Sequence, residues 1–445
     1  MRLEERVRER DGRAVPLPRA VRPWRVAIAG FGTVGRSVAR LLQELAPPEL
    51  QLAVIVNRSV ERKRVGWIDP DVRWSDEIDD ALGDDVDIVV ELIGGRSPAE
   101  DWIRRALWAG KSVVTANKQV IAHAGAELLE DAARLGQQLR FEAAVAGGVP
   151  VVRAIEQGLA GDSLRRVAGI LNGTCNYILS RMERERVSFN EALADAQTLG
   201  FAEADPSQDI KGLDAQAKLA ILAHIAFGVH VRASAIETRG VDVIDTVDFV
   251  YAEQMGCTIR QIAWAEPGSE PAVLRAGVGP ALVPLESPLA RVRGCENLVT
   301  LHGRFGGETT FGGLGAGGEP TAVAVLSDLL AIAREGARPA ARVPASRVEV
   351  SADSTSAYYV RFTVADRPGI IAALSSVFGQ HGINIDAILQ QPGFPAGRRP
   401  FVVTLDPSPS SAMEQAMNNM SQFDFHGEAP VVLPVFSAAT IGVLA

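Results

Sequence analysis

The chain has little of what staples or metal-held folds need. Its 445 residues include three cysteines, Cys175, Cys257 and Cys295, odd in number and far apart. That argues against a disulfide framework or a paired-cysteine metal site and suits a reducing compartment. The six histidines are isolated, so no transition-metal cluster is spelled out. Aromatic residues make up 6%, and the six tryptophans are scattered and form no stacking platform. No apolar run approaches the roughly 18 residues that span a bilayer; Ala220 to Val231 is shorter and is broken by His224 and Gly228. Charge of one sign is missing too. The net charge is −9 with acids and bases interspersed, which leaves no nucleic-acid footprint. Residues 1–22 are arginine-rich, but Glu4, Glu5, Glu9 and Asp11 interrupt them and no apolar core follows, so they read as an N-terminal extension and not a signal peptide. The expected location is the cytoplasm.

What is present describes an ordinary globular chain, 47% hydrophobic and 22% charged, long enough for two to four domains. Trp24 to Ala29, Leu52 to Asn57, Asp87 to Glu91 and Ser112 to Thr115 are short continuous apolar strands. Helical segments separate them, including 97–109, opened by a capping box at Ser97-Pro98-Ala99-Glu100, and 124–135. Continuous strands alternating with helices predict an α/β fold, a Rossmann-type doubly wound parallel sheet over residues 23–150. From about 151 to 335 the rhythm changes to α+β. This stretch has a capping box at Ser188-Phe-Asn-Glu191 and a last helix over 320–335 that is expected to return to the first domain. Residues 336–352 read as a linker, and 353–445 as a compact ferredoxin-like βαββαβ unit.

Three motifs carry chemistry. Gly30-Phe31-Gly32-Thr33-Val34-Gly35 follows a strand and opens a helix, where glycines allow backbone to approach a pyrophosphate. After the second strand come Asn57 and Arg58, with Arg62, Lys63 and Arg64 beyond, and no acid. That polarity suits a 2′-phosphate, so NADP(H) is preferred with NAD(H) possible; a solvated basic loop is the plainer alternative. Thr115-Ala-Asn-Lys118 ends a parallel strand, the edge where ligands of such sheets bind. Third, Gly200 to Lys218 packs four carboxylates, Glu203, Asp205, Asp209 and Asp214, beside Lys211 and Lys218. It then runs into a helix over 213–227 that is apolar nearly all round and therefore buried. Asp214 and Lys218, spaced i and i+4, share one face of that helix. They are a helix-start salt bridge or working groups, since buried charge is costly unless paired or used.

With Asn172-Gly-Thr-Cys-Asn-Tyr-Ile-Leu179, Glu203-Ala-Asp-Pro, Asp209-x-x-Gly-x-Asp214-x-x-x-Lys218 and Gly315-Ala-Gly added in order, the chain resembles the homoserine dehydrogenases over about residues 24–335. The tail, with Asp366-Arg-Pro-Gly369 and Gly382-Ile-Asn384-Ile, resembles an ACT regulatory domain. Little precedes residue 24, so no fused aspartate kinase is expected.

The resemblance implies interconversion of L-homoserine and L-aspartate 4-semialdehyde with NAD(P)(H), in the biosynthesis of threonine, methionine and isoleucine. It implies a homodimer or homotetramer, with residues 151–335 serving catalysis and dimerisation. It makes Lys218 the proton donor and acceptor, and Lys118 a second cation at nicotinamide and substrate. Glu203 becomes the ligand of the substrate ammonium, Asp214 an orienting or gripping carboxylate, and Asp209 a further substrate contact. Gly30 to Gly35, Asn57, Arg58, Lys118, Gly200 and Gly315 line the cofactor, and Glu142, Val145, Gly147 and Val149 match a sodium site of hard oxygen ligands. Asp366, Gly369 and Asn384 are expected to hold an effector, threonine first. Arg36 and Lys211 are given no role. Two other classes stay open: a semialdehyde dehydrogenase using Cys175 as nucleophile, and a non-catalytic sensor of nucleotide and amino acid.

Overall fold

The computed structural model describes residues 22–270, 272–336, 346–395 and 397–436. Most of the expected N-terminal extension, residues 337–345 of the expected linker and residues 437–445 lie outside them. The first sheet holds β1 (Trp24–Ala29), β2 (Leu50–Val56), β3 (Arg73–Ser75), β4 (Ile88–Glu91), β5 (Ser112–Thr115) and β6 (Leu139–Arg140). Its order is β3-β2-β1-β4-β5-β6 and every pairing is parallel. Both faces are covered, which is why the strands read as unbroken apolar runs. Helices Ala99–Trp108 and Lys118–Arg134 fill one face; Thr33–Leu45 and Gly318–Glu335 fill the other. Strand order reverses at β1 and β4, so the ligand crevice opens beyond their carboxyl ends.

The second sheet uses β7 (Leu164–Ile170), β9 (Glu237–Thr238), β10 (Cys257–Pro267), β11 (Val273–Pro284), β12 (Glu296–Gly303), β13 (Gly307–Leu314) and β15 (Glu349–Ser351), while β8 (Val229–His230) pairs with β14 (Ser346–Arg347). Helix Leu213–Phe227 lies between this sheet and helix Lys118–Arg134, so it is enclosed on both sides and apolar all round. The third sheet orders β17 (Ile385–Gln390), β18 (Arg399–Pro409), β16 (Thr355–Val364) and β19 (Val431–Pro434), the ferredoxin-like arrangement. Helices Ile370–Gln380 and Ser410–Met420 cover one face. The other face packs Tyr359, Val402 and Leu433 against Phe249, Tyr251 and Ile178 of the second domain.

Four expectations need correction. Ser97 caps nothing: Pro98 takes the N-cap position of helix Ala99–Trp108 and has no side-chain acceptor, while Glu100 pairs with Arg104 at 3.3 Å. The next helix begins at Lys118, because the Asn117 side chain accepts the Val120 N–H at 3.2 Å and caps it there. Residues 346–347 and 349–351 are short strands, not linker: the alternation in Arg347-Val-Glu-Val350 lets Val348 and Val350 pack on the main core. Strands β10 and β13 were not foreseen. In β10, Arg260 and Gln261 are as buried as their apolar neighbours and erase the alternation; β13 is glycine-rich and reads as a turn.

Candidate active site

The glycine loop joins β1 to helix Thr33–Leu45. A Cβ on Gly35 would stand 2.1 Å from the Gly30 carbonyl oxygen, so only glycine lets the helix pack this close to the strand end. A Cβ on Gly32 would meet nothing within 4 Å, and no side chain caps the helix. Exposed N–H groups with open space before them are a ready anion site, so the residues present fit a dinucleotide pyrophosphate. Thr33 is exposed at the helix start and Val34 half-buried. The Phe31 ring is buried against Trp74 and Trp67, so only its backbone could face a ligand. Asn57 accepts the Phe31 N–H at 3.4 Å and braces the loop from the end of β2. Arg58, next in line, is exposed and in no ion pair among the described residues.

On the far side of the crevice, Glu91 is buried at the end of β4. It accepts hydrogen bonds from Thr115 Oγ1 at 2.6 Å and from the Ile93 N–H at 2.9 Å. Asn117 Nδ2 donates to the Gly95 carbonyl at 2.6 Å. This network fixes the loop after β4 and the start of the helix whose first residue is Lys118. Sequence reasoning gave Glu91 no role, since a strand-end acid has no periodic signature.

Lys118 and Lys218, a hundred residues apart, meet on one carboxylate. Lys118 Nζ pairs with Asp214 Oδ1; Lys218 Nζ lies 2.8 Å from Asp214 Oδ2 and donates to the Leu171 carbonyl at 2.7 Å. Asp214 is 6% exposed. Burial alone would raise its pKa, but the two ammonium groups outweigh it and hold the carboxyl well below the usual range. Asn172 Nδ2 donates to Asp209 Oδ1 at 2.6 Å and to Asp214 Oδ2 at 2.9 Å, which ties Asp209 into the cluster. Burial pushes the Asp209 carboxyl up, opposed by that hydrogen bond.

Glu203 is not in direct contact with this cluster. It is exposed, on a loop tethered where Thr174 Oγ1 donates to the Phe201 carbonyl at 2.7 Å, and its carboxylate joins no hydrogen bond or ion pair among the described residues. Gly200 ends the preceding helix with φ +76° and is open to solvent. Gly315 sits at the domain junction, where any Cβ would strike the Asn297 side chain at 2.1 Å. Cys175 is fully buried; burial pushes its thiol well up and its Sγ donates to the Asp209 carbonyl at 3.2 Å, conditions opposed to a thiolate nucleophile.

Two of the four expected sodium ligands have other employment. Glu142 accepts the N–H groups of Val152 at 2.8 Å and Arg153 at 2.9 Å, one on each oxygen, and so closes the start of the following helical turn. The Val149 carbonyl accepts from Val151 at 2.8 Å. The donor set therefore fits a cation only in part, through backbone carbonyls of the turn at Val145 and Gly147.

In the third domain, Asp366 pairs with Arg399 at 2.5 Å, at the start of β18, and Gly369 with φ +95° precedes the helix there. Asn384 donates to Asp406 at 2.6 Å, seven residues along the same strand. At about 3.3 Å per residue that is roughly 23 Å away, so one protomer does not gather the three into one pocket.

Three family models match in order: a homoserine dehydrogenase NAD-binding domain over residues 30–142, a homoserine dehydrogenase domain over 150–330 and an ACT domain over 358–421. The chain is 37% identical over 431 residues to a homoserine dehydrogenase of Synechocystis, covering 93% of this chain and 99% of that one. It superposes on a homoserine dehydrogenase from Thiobacillus denitrificans with a TM-score of 0.85 and 32% identity, covering 93% of this chain and 98% of the other. A hyperthermophilic archaeal homoserine dehydrogenase in complex with NADPH gives a TM-score of 0.61 at 26% identity, over 72% of this chain and all of the other.

Proposed function

The chain belongs to the homoserine dehydrogenase family, and from that premise we propose that it interconverts L-homoserine and L-aspartate 4-semialdehyde with NADP(H) as the preferred cofactor. The observation that carries this reading is Asp214 holding Lys118 and Lys218 beside the cofactor crevice. Oxidation of a primary alcohol to an aldehyde removes a hydride from carbon and a proton from oxygen. A bound nicotinamide accepts that hydride, and returns one in the reverse direction. Lys218 handles the proton. Two of its N–H groups are committed, to Asp214 and to the Leu171 carbonyl, which leaves one position on Nζ for the substrate oxygen. Lys118, half-exposed on the crevice side, supplies a second positive charge for that oxygen or for the substrate carboxylate. Both oxygens of Asp214 are occupied by the lysines, so it orients them. The substrate ammonium then falls to Asp209, whose Oδ2 has no partner among the described residues, and to Glu203.

Arg58 carries the cofactor preference, as an exposed guanidinium in no ion pair among the described residues, next to the loop that Asn57 braces. Feedback by threonine through the ACT domain suits the product chemistry. A sodium ion at the carbonyls of Val145 and Gly147 would be structural, and a thermal midpoint equal in sodium and choline salts removes it. The three free cysteines suit the cytoplasm. A homodimer or homotetramer is expected by light scattering.

The deciding assay is initial rate with homoserine under NADP⁺ and NAD⁺. Lys218→Ala is expected to keep NADP⁺ affinity and lose about a thousandfold in kcat. Wild-type protein inert toward homoserine would sink the reading. Arg58→Ala should raise the KM for NADP⁺ about tenfold and leave NAD⁺ unchanged; equal change in both removes the preference.

A further inference from the structure

The Asn172 side chain is a neutral group that reaches both carboxylates of the charged cluster. It is 3% exposed. Its single amide nitrogen has two hydrogens, and each goes to a different carboxylate, Asp209 Oδ1 at 2.6 Å and Asp214 Oδ2 at 2.9 Å. Its Oδ1 accepts the Cys175 N–H at 2.8 Å and caps helix Gly173–Glu185. The carbonyl of the residue before it, Leu171, takes hydrogen bonds from Lys218 and from Asn297. One dipeptide thus controls both carboxylates and the proton-carrying lysine.

Two carboxylates this close repel. Asp214 is neutralised by its lysines, but Asp209 has no ion pair among the described residues. Only a donor that bridges the two without adding charge can hold Asp209 beside Asp214 and still leave Asp209 Oδ2 unspent. An amide does this; a hydroxyl has one hydrogen, a carboxylate none, and an ammonium would fill the second oxygen as well. We propose that Asn172 is a positioning residue that presents the free oxygen of Asp209 to the ammonium group of the amino-acid substrate while fixing Asp214 against Lys218. This rests on the dehydrogenase reading of the same cluster.

The capping duty and the clamping duty can be separated. Serine caps a helix as well as asparagine does, but it cannot bridge two carboxylates. Asn172→Ser should therefore keep the thermal midpoint within a few degrees and keep NADP⁺ affinity. It should raise the KM for homoserine about tenfold or more and lower kcat/KM about a hundredfold, in line with the loss of charge-assisted hydrogen bonds. Asn172→Asp keeps shape and cap but replaces the donor with a third negative charge. Asp209 is faced by Asp214, Lys118, Lys218 and the Cys175 thiol, with burial pushing it up and Asn172 pulling it down. In Asn172→Asp the acid limb of kcat/KM for homoserine should move to higher pH. An Asn172→Ser enzyme with wild-type KM and kcat overturns the proposal, because the cap alone would then explain the residue. So does a loss that lowers NADP⁺ affinity and thermal midpoint in parallel, which marks a folding role. Wild-type enzyme without homoserine turnover is a separate outcome and fails the dehydrogenase reading instead.

Discussion

Asp214 and Asp248 are both buried acids that meet basic side chains, and the environment moves them in opposite directions. Asp214 faces two lysines, its charge is favoured, and the cluster opens toward a crevice through Lys118, whose side chain is 38% exposed. Asp248 is 0% exposed and lies where the second domain meets the third. Its Oδ1 accepts from Tyr359 and from Arg361 Nε, both at 2.7 Å, and its Oδ2 accepts the Asp245 N–H at 2.8 Å. Burial there pushes the Asp248 carboxyl up despite the guanidinium. The choice of cation separates them. Lysine can pass a proton and reorient on a flexible stem; arginine stays charged and holds a fixed fork. On the proposed reading, a buried acid that reaches the crevice through Lys118 is arranged to work, and a buried acid sealed under arginine and tyrosine is arranged to stay.

The largest effect should come from breaking the first pair. Asp214→Asn removes the charge that gathers Lys118 and Lys218, which are then like charges at close range. A kcat loss of about a thousandfold to ten-thousandfold is expected, with NADP⁺ affinity changed less than about threefold. A variant that keeps a tenth of wild-type kcat would make Asp214 a bystander and erase the contrast with Asp248.

Next in size is the sealed pair. Asp248→Ala strands a buried guanidinium and should cost about 3 to 5 kcal/mol, read as a lower denaturation midpoint with KM for homoserine near wild type. Replacing both partners, Asp248→Leu with Arg361→Met, should recover most of the loss, since apolar groups of similar volume often substitute for a buried ion pair. The matching double replacement at Asp214 and Lys218 should recover no activity. If Asp248→Ala changes catalysis and leaves stability alone, the division into working and holding pairs is wrong.

The two pairs were unequally legible in the sequence. Asp214 and Lys218 stand four residues apart on a helix with no polar face, so their burial and their contact followed from spacing. Lys118 was placed just past a strand end, but its union with Asp214 depends on the helix starting there, behind an Asn117 cap that a mixed polar and apolar run concealed. Asp248 and Arg361 are 113 residues apart and belong to different domains, so nothing local announces them. The parallel sheet could be read because both its faces are covered, and the ferredoxin-like unit because Arg361 and Thr363 alternate with Val360, Phe362 and Val364 along β16. Strand β10 could not, since Arg260 is buried by pairing with Glu183 at 2.8 Å and not by being apolar. Glu203 was placed by resemblance, and the structure leaves it on an exposed loop.

The smallest effect concerns a third buried acid, Asp328, at the junction of the first two domains. It accepts the Glu142 N–H at 2.9 Å and Arg153 Nη2 at 3.1 Å. Burial, with the charge of nearby Glu142, pushes its pKa to about 7. The folded state therefore keeps a proton that the unfolded chain has released above pH 4. The sign follows: the contribution of Asp328 to stability is complete below about pH 4 and is lost as pH rises through 7. Between pH 5 and 8 the loss should be about 3 kcal/mol, and burial moves Glu142 in the same direction. Denaturant unfolding of wild type and Asp328→Asn at several pH values isolates the effect. The stability of wild type relative to the variant should decline from pH 5 to about 7 and level off above it. Two curves that stay parallel would mean that Arg153 offsets the burial as fully as the lysines do at Asp214, and that the junction acid belongs with the working pair in its electrostatics.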